Sequence, residues 1–126
     1  MRFLFFLAVI TGSASAATMS TDVESSFQCN YDGNQQEMNA CALRDYKTAD
    51  VALNEKYKVV LSKLSPEKKN TLRQQQRAWL RNRDPRCKAE VRQSEGGSIW
   101  QLEYFSCLKA ATELRTMALE QWASKQ

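Results

Sequence analysis

Four cysteines, Cys29, Cys41, Cys87 and Cys107, stand in a 126-residue chain that has no histidine. An even number of thiols in a short chain is a covalent frame if the chain is exported, and more often a metal or redox site if it is not. Compartment therefore decides what the cysteines do, and the N-terminus speaks to compartment. "MRFLFFLAVITGSASAA" places one basic residue before an apolar run from Phe3 to Ile10, followed by Ala14-Ser15-Ala16 in an A-x-A arrangement. This reads as a secretory signal peptide over residues 1–16, cut before Ala17. The apolar run is far short of the ~20 residues that a bilayer span needs. A periplasmic or secreted location is predicted, with no membrane span. No two cysteines form the close C-x-x-C type of knuckle that zinc sites use. Two structural disulfides are expected, with no metal and no cofactor.

Removal of the leader leaves 17 basic and 14 acidic side chains, a net +3. What remains is one small domain, whose limited core benefits from cross-links. Residues 17–33 are rich in Ser, Thr, Asp and Asn without a period, and read as an extended arm tied down by Cys29. The helical domain occupies 34–126. Asn34 and Glu37 form an N-x-x-E version of the capping box. From there Met38, Cys41, Ala42, Ala49, Ala52, Leu53, Val60 and Leu64 recur at three- and four-residue steps, which predicts one buried helical face over about 35–63. "LSPEKK" then supplies an N-cap at Ser65, a first-turn proline at Pro66 and an acid at Glu67. A second helix starts there and turns back on the first, with Leu72, Gln76, Trp79 and Arg83 on one face.

Pro85 disfavours the helical region at the residue before it and removes a hydrogen bond, so a kink or restart is expected near Asp84. "EGGS" at 95–98 predicts a second reversal, with Gly96 or Gly97 at positive φ and Ser98 capping a third helix. That helix carries Ile99, Leu102, Phe105, Leu108, Thr112, Arg115, Leu119 and Trp122 on its inward side. No segment alternates as a strand would. The predicted fold class is all-α: an antiparallel three-helix bundle with an N-terminal arm and two disulfides.

Two juxtapositions follow from this hairpin geometry. With the first reversal near residue 65, Cys41 and Cys87 lie at similar heights at ~1.5 Å per residue, which predicts Cys41 with Cys87 and leaves Cys29 with Cys107. Arg83 shares a face with Trp79, and a partly buried guanidinium requires a carboxylate. Asp50 of the first helix is the expected partner, with Arg115 as the rival arginine.

The stretch "QRAWLRNRDPRC" crowds arginines around one tryptophan and one cysteine. Arg73, Arg77, Arg81, Lys88 and Arg92 fall on a different face of helix two, a stripe that reads first as solvated surface and otherwise as a site for an anionic partner. From Lys63 to Arg92 the chain has ten basic and three acidic residues, whereas from Ala17 to Leu43 the acids Asp22, Glu24, Asp32 and Glu37 meet no basic side chain. The molecule is charge-polarised along its sequence. Without histidine there is no ordinary Ser/His or Cys/His catalytic arrangement. No phosphate-binding glycine loop or nucleic-acid stacking platform is present either. Neither an enzyme nor a nucleic-acid binder is expected.

The ordered set "MNACALRDYKTADVALNEKY", "QRAWLRNRDPRC", "GGS" and a late cysteine followed by "TELRTMAL" resembles the LprI-type lysozyme-inhibitor family, small exported bacterial helical domains. The likeness covers about residues 29–120. Pro85 departs from the family pattern, which usually has a small residue there. The resemblance implies a protein partner, a lysozyme-type muramidase, or a cell-wall-degrading toxin against which related domains serve as immunity proteins. It implies no contact residue. Asp50, Asn54, Trp79, Arg83, Asp84 and Arg115, with the cysteines, read as architectural. Two surfaces are candidates for docking: the acidic set Asp22, Glu24, Asp32 and Glu37 against a basic target, and Arg73, Arg77 and Arg81 against an acidic one. The other reading is an envelope structural protein that holds peptidoglycan or another anionic polymer on the basic helix face.

Overall fold

The computed structural model describes residues 29–126. The leader, the arm up to residue 28, and with it Asp22 and Glu24, lie outside the described residues. α1 spans Gln35–Ser62, and its N-cap Asn34 accepts a hydrogen bond from the Glu37 amide at 2.9 Å. α2 spans Pro66–Glu90, and the Ser65 hydroxyl accepts from the Lys68 amide at its start. A short 3-10 turn, Arg92–Ser94, leads to α3 at Trp100–Ala123. The described residues contain helices and turns but no strand.

α1 and α3 run in the same direction, side by side. Asn39 donates to the Ser98 carbonyl near their starts, Tyr46 stacks on Phe105 with ring centroids 6.2 Å apart, and Lys56 pairs with Glu120 near their ends. The buried alanines Ala42 and Ala49 and the buried Thr112 allow their close approach. α2 runs the opposite way and stands off on larger side chains.

The apolar core is in two parts. Leu53, Val60, Leu72 and Leu119 pack near the α1–α2 reversal, with Trp79 and Trp122 against them. Cys87, Tyr104 and Leu108 pack towards the other end, with Tyr46, Trp100 and Phe105 alongside. Between these clusters lies a polar layer centred on Arg83.

The cysteines pair as Cys29–Cys41 and Cys87–Cys107, which corrects the expected Cys41–Cys87 and Cys29–Cys107. Matched height is only one coordinate of a disulfide, whose Cα atoms must also lie within about 7 Å. Cys87 points towards α3, where Cys107 stands with a Cα separation of 5.6 Å. Cys41, fully buried on α1, is met instead by the chain returning from Cys29 at 4.5 Å.

Three local expectations are also corrected. α2 continues through Pro85 as one helix instead of restarting at Asp84. Contacts on both sides of the proline fix the chain there: Arg83 is bonded into the polar layer and Cys87 is cross-linked to α3. Ser98 does not cap α3, because the helix starts one residue later than expected and the cap position falls to Ile99, whose apolar side chain can make no capping bond. The start of α3 is held from outside, by the Ser94 hydroxyl donating to Glu103 of the first turn. Ile99 and Ala52, expected inward, are exposed. Gly96 takes φ 81°, the left-handed conformation that suits glycine in the reversal before α3.

Candidate partner-binding surfaces

Arg83 organises the middle of the bundle. Its side chain is only 8% exposed, and it reaches three elements at once. Nη1 donates to Asp50 of α1 at 3.0 Å and to Thr112 of α3 at 3.4 Å, Nη2 donates to the Tyr46 hydroxyl at 2.8 Å, and Nε donates to its neighbour Asp84 at 3.0 Å. Its guanidinium carbon also lies 5.2 Å from the Tyr46 ring centre and 5.3 Å from that of Trp79. Burial works against its charge, but the bonds to Asp84 and Asp50 and the proximity of Tyr46 outweigh it, and the guanidinium pKa is raised. The pairing of Arg83 with Asp50 follows from the shared face with Trp79.

Tyr46 and Thr112 were not legible as partners from spacing alone. The available signal was Tyr46 standing one turn before Asp50, on the same helix face. Burial raises the pKa of Tyr46, keeping it a neutral phenol beside the cation.

Arg115 of α3 has a poorer site. Its Nε donates to Gln76 at 2.8 Å and its guanidinium lies 5.9 Å from the Trp79 ring centre, but Nη2 is buried without a hydrogen-bond partner. Burial lowers its pKa. Trp79 is thus flanked by two arginines of unequal satisfaction. A groove of about 420 Å³ opens beside them between α2 and α3, lined among others by Trp79, Arg86, Glu90, Leu114 and Arg115. Glu90 lies 3.1 Å from the Cys107 sulfur. A disulfide sulfur has no hydrogen to donate, so this is a contact and not a hydrogen bond.

The expected stripe is present as exposed side chains: Arg73, Arg77, Arg81, Lys88 and Arg92 all face solvent. Arg92 stands in the 3-10 turn beyond α2, so the stripe outlasts its helix. No acidic side chain pairs with these residues among the described residues; Arg77 donates only to the backbone of Arg73. The structure does not unite the acidic set, since Asp22 and Glu24 are outside the described residues, whereas exposed Asp32 and half-buried Glu37 bracket the start of α1. A second acidic feature lies close by. Tyr31 donates to Asp45, which also accepts from Arg44 at 2.9 Å, and these bonds, Tyr31's first, hold the Asp45 carboxyl below its ordinary pKa. Asn54, read as architectural, is exposed, and Asp84 is half-exposed beside Arg83.

Among the described residues no group of three or more His, Cys, Asp or Glu side chains could hold a metal ion. None of the described helices is long and apolar enough to cross a membrane.

The family described as lysozyme inhibitor LprI matches residues 28–119, which takes in almost all of the described bundle. An uncharacterized protein of Rhizobium meliloti (strain 1021) is 29% identical over 106 residues, covering 74% of this chain and 76% of that protein. No solved structure matches.

Proposed function

The chain belongs to the lysozyme inhibitor LprI family, and from that premise we propose that it is exported and inhibits a lysozyme-like peptidoglycan hydrolase by binding over its cleft. The target is a muramidase, or a cell-wall-degrading toxin against which the protein confers immunity. The observation that carries this reading is the family match, which spans the bundle from Cys29 to beyond Cys107. The two disulfides fit an extracytoplasmic location, where such bonds persist. A bundle pinned by two cross-links and a buried arginine layer presents its surface preorganised, so little ordering cost opposes docking.

Charge divides the docking surface by target. Against a basic muramidase the stripe of Arg73, Arg77 and Arg81 repels, and docking falls to Asp22, Glu24, Asp32 and Glu37. Against an acidic target the roles exchange. The test is lysis of cell walls by a panel of muramidases titrated with the mature protein. Inhibition that weakens when one of these two charge sets is neutralised, and less so at high salt, supports the reading.

A second reading is favoured by one observation, the exposed stripe that no acidic side chain neutralises among the described residues. On it the protein is an envelope component that holds peptidoglycan or another anionic polymer. Sedimentation with bare sacculi that disappears at high salt, together with failure to slow any muramidase, would replace the first reading with this one.

A further inference from the structure

We propose that the outward face of α3 is a contact between two copies of this chain, packed antiparallel about a twofold axis at Leu114. The inward face of α3 is filled by Tyr104, Leu108, Thr112 and Leu119. Over the same length its exposed residues are Ser106, Ala110, Glu113, Leu114, Met117 and Ala118. Leu114 is 65% exposed and Met117 53%. The single charge, on Glu113, is met by Lys109 of the same helix at 3.8 Å. The outward face of α2, by contrast, carries Arg73, Arg77, Arg81 and Lys88. A helix that is apolar on both sides is one that is covered on both sides, and α1 and α2 cover only one.

The order of residues along the face selects the occupant. Cys107, Ala110, Leu114, Met117 and Gln121 follow one another at alternating steps of three and four, the spacing of a helix seam that packs at a shallow crossing of about 20°. About Leu114 the face is a palindrome. Four residues to either side stand Ala110 and Ala118, and eleven residues to either side stand Glu103 and Lys125. Four and eleven residues are close to one and three helical turns, so these positions share a face.

Packing about a dyad brings each residue opposite its mirror position in the other copy. Leu114 then meets Leu114, Ala110 meets Ala118, and Met117 lies over the small Ala111. At both ends Glu103 meets Lys125, which stands just past α3. Glu103 engages Ser94 through one carboxylate oxygen and keeps the other for the lysine. Glu113, near the axis, brings its own Lys109 with it. Ala110, Leu114 and Ala118 also line the groove between α2 and α3, so the second copy is seated against a concave surface. An unrelated partner imposes no mirror order on the face; a second copy does. None of this depends on the inhibitor reading.

Two measurements test the contact. Sedimentation velocity of the mature, disulfide-bonded protein over a concentration series should show a species of twice the chain mass that grows with concentration, and Leu114→Asp should leave only monomer. Glu103→Lys and Lys125→Glu each turn two symmetry-related pairs into like charges, and each should weaken the dimer about tenfold. The double variant restores both pairs in the opposite sense and should recover most of that loss. Circular dichroism verifies the fold of each variant.

In the second, a carbodiimide condenses a carboxylate with an amine in contact, with loss of water, to an amide. Glu103 and Lys125 of one chain lie about 33 Å apart along the helix at 1.5 Å per residue, so an amide between them joins two copies. Peptide mapping of the wild-type dimer should find it, and Leu114→Asp should abolish it. Monomer alone up to about 1 mM, where even a weak dimer forms, would overturn the proposal. So would a dimer that survives Leu114→Asp, or a double charge variant no tighter than the single ones. A monomer whose inhibition of a muramidase is weakened by Leu114→Asp would overturn it in favour of the enzyme as occupant.

Discussion

Replacing Arg83 by methionine removes the guanidinium from the centre of the bundle while roughly preserving volume, so the cost reads the polar layer and not a cavity. The two carboxylates that lose their partner are 35% and 49% exposed. Water can re-solvate both, which limits each ion pair to about 1 kcal/mol. Thr112 is fully buried, and if its hydroxyl is left without an outside partner the penalty is about 1–3 kcal/mol. Loss of the Tyr46 hydroxyl bond and of the contacts with the Tyr46 and Trp79 rings adds about 1 kcal/mol. Together these give about 4–6 kcal/mol, or roughly 20–30 °C in Tm for a domain of this size. Urea unfolding followed by circular dichroism measures it. Arg83→Lys should fall between, because it keeps the charge and loses the fork. An Arg83→Met protein within about 1 kcal/mol of wild type would refute the reasoning and make Arg83 equivalent to a surface arginine.

Reduction of the disulfides should cost about 3 kcal/mol for each bridge, since they close loops between residues 12 and 20 apart; an unchanged thermal midpoint after verified reduction would contradict this. Tyr31→Phe should raise the Asp45 carboxyl pKa towards its ordinary value, as read by carbon NMR against pH. Because the folded-state pKa of Asp45 is depressed, its contribution to stability is present above about pH 4 and is lost as pH falls through the lowered value. The variant should therefore lose less stability than wild type on acidification, and identical acid limbs would count against the Tyr31–Asp45 bond. Gly96→Ala should destabilise by about 1 kcal/mol through its φ of 81° alone, because an added methyl meets no atom within 4 Å; a neutral substitution would mean that the turn relaxes.

Asn34, Ser65 and Pro66 are local signals, and the helix starts they predict depend on bonds within three or four residues; those boundaries were legible. The Arg83–Asp50 pair was legible because one hairpin and one helical period determine which residues face each other. The disulfide partners were not. Pairing depends on how α2 is rotated about its axis and on its standing closer to α3 than to α1, and neither follows from axial height. The restart at Pro85 fails for a related reason: the proline's local preference is to break a helix, and tertiary contacts through Arg83 and Cys87 hold the helix through it. The unpaired Nη2 of Arg115 was invisible because it is a property of packing between α2 and α3. Gln76, a polar residue on the Leu72 and Trp79 face, was the one available hint that a buried donor stands opposite.

Inhibition is tested most directly by titrating the mature, disulfide-bonded protein against muramidase-driven lysis of purified cell walls. An inhibitor of this family should show saturable inhibition of at least one muramidase, with a stable complex between enzyme and protein recovered in the absence of cell wall. Full lysis rates for every muramidase at saturating protein, with salt-sensitive sedimentation of the protein on bare sacculi, would contradict it.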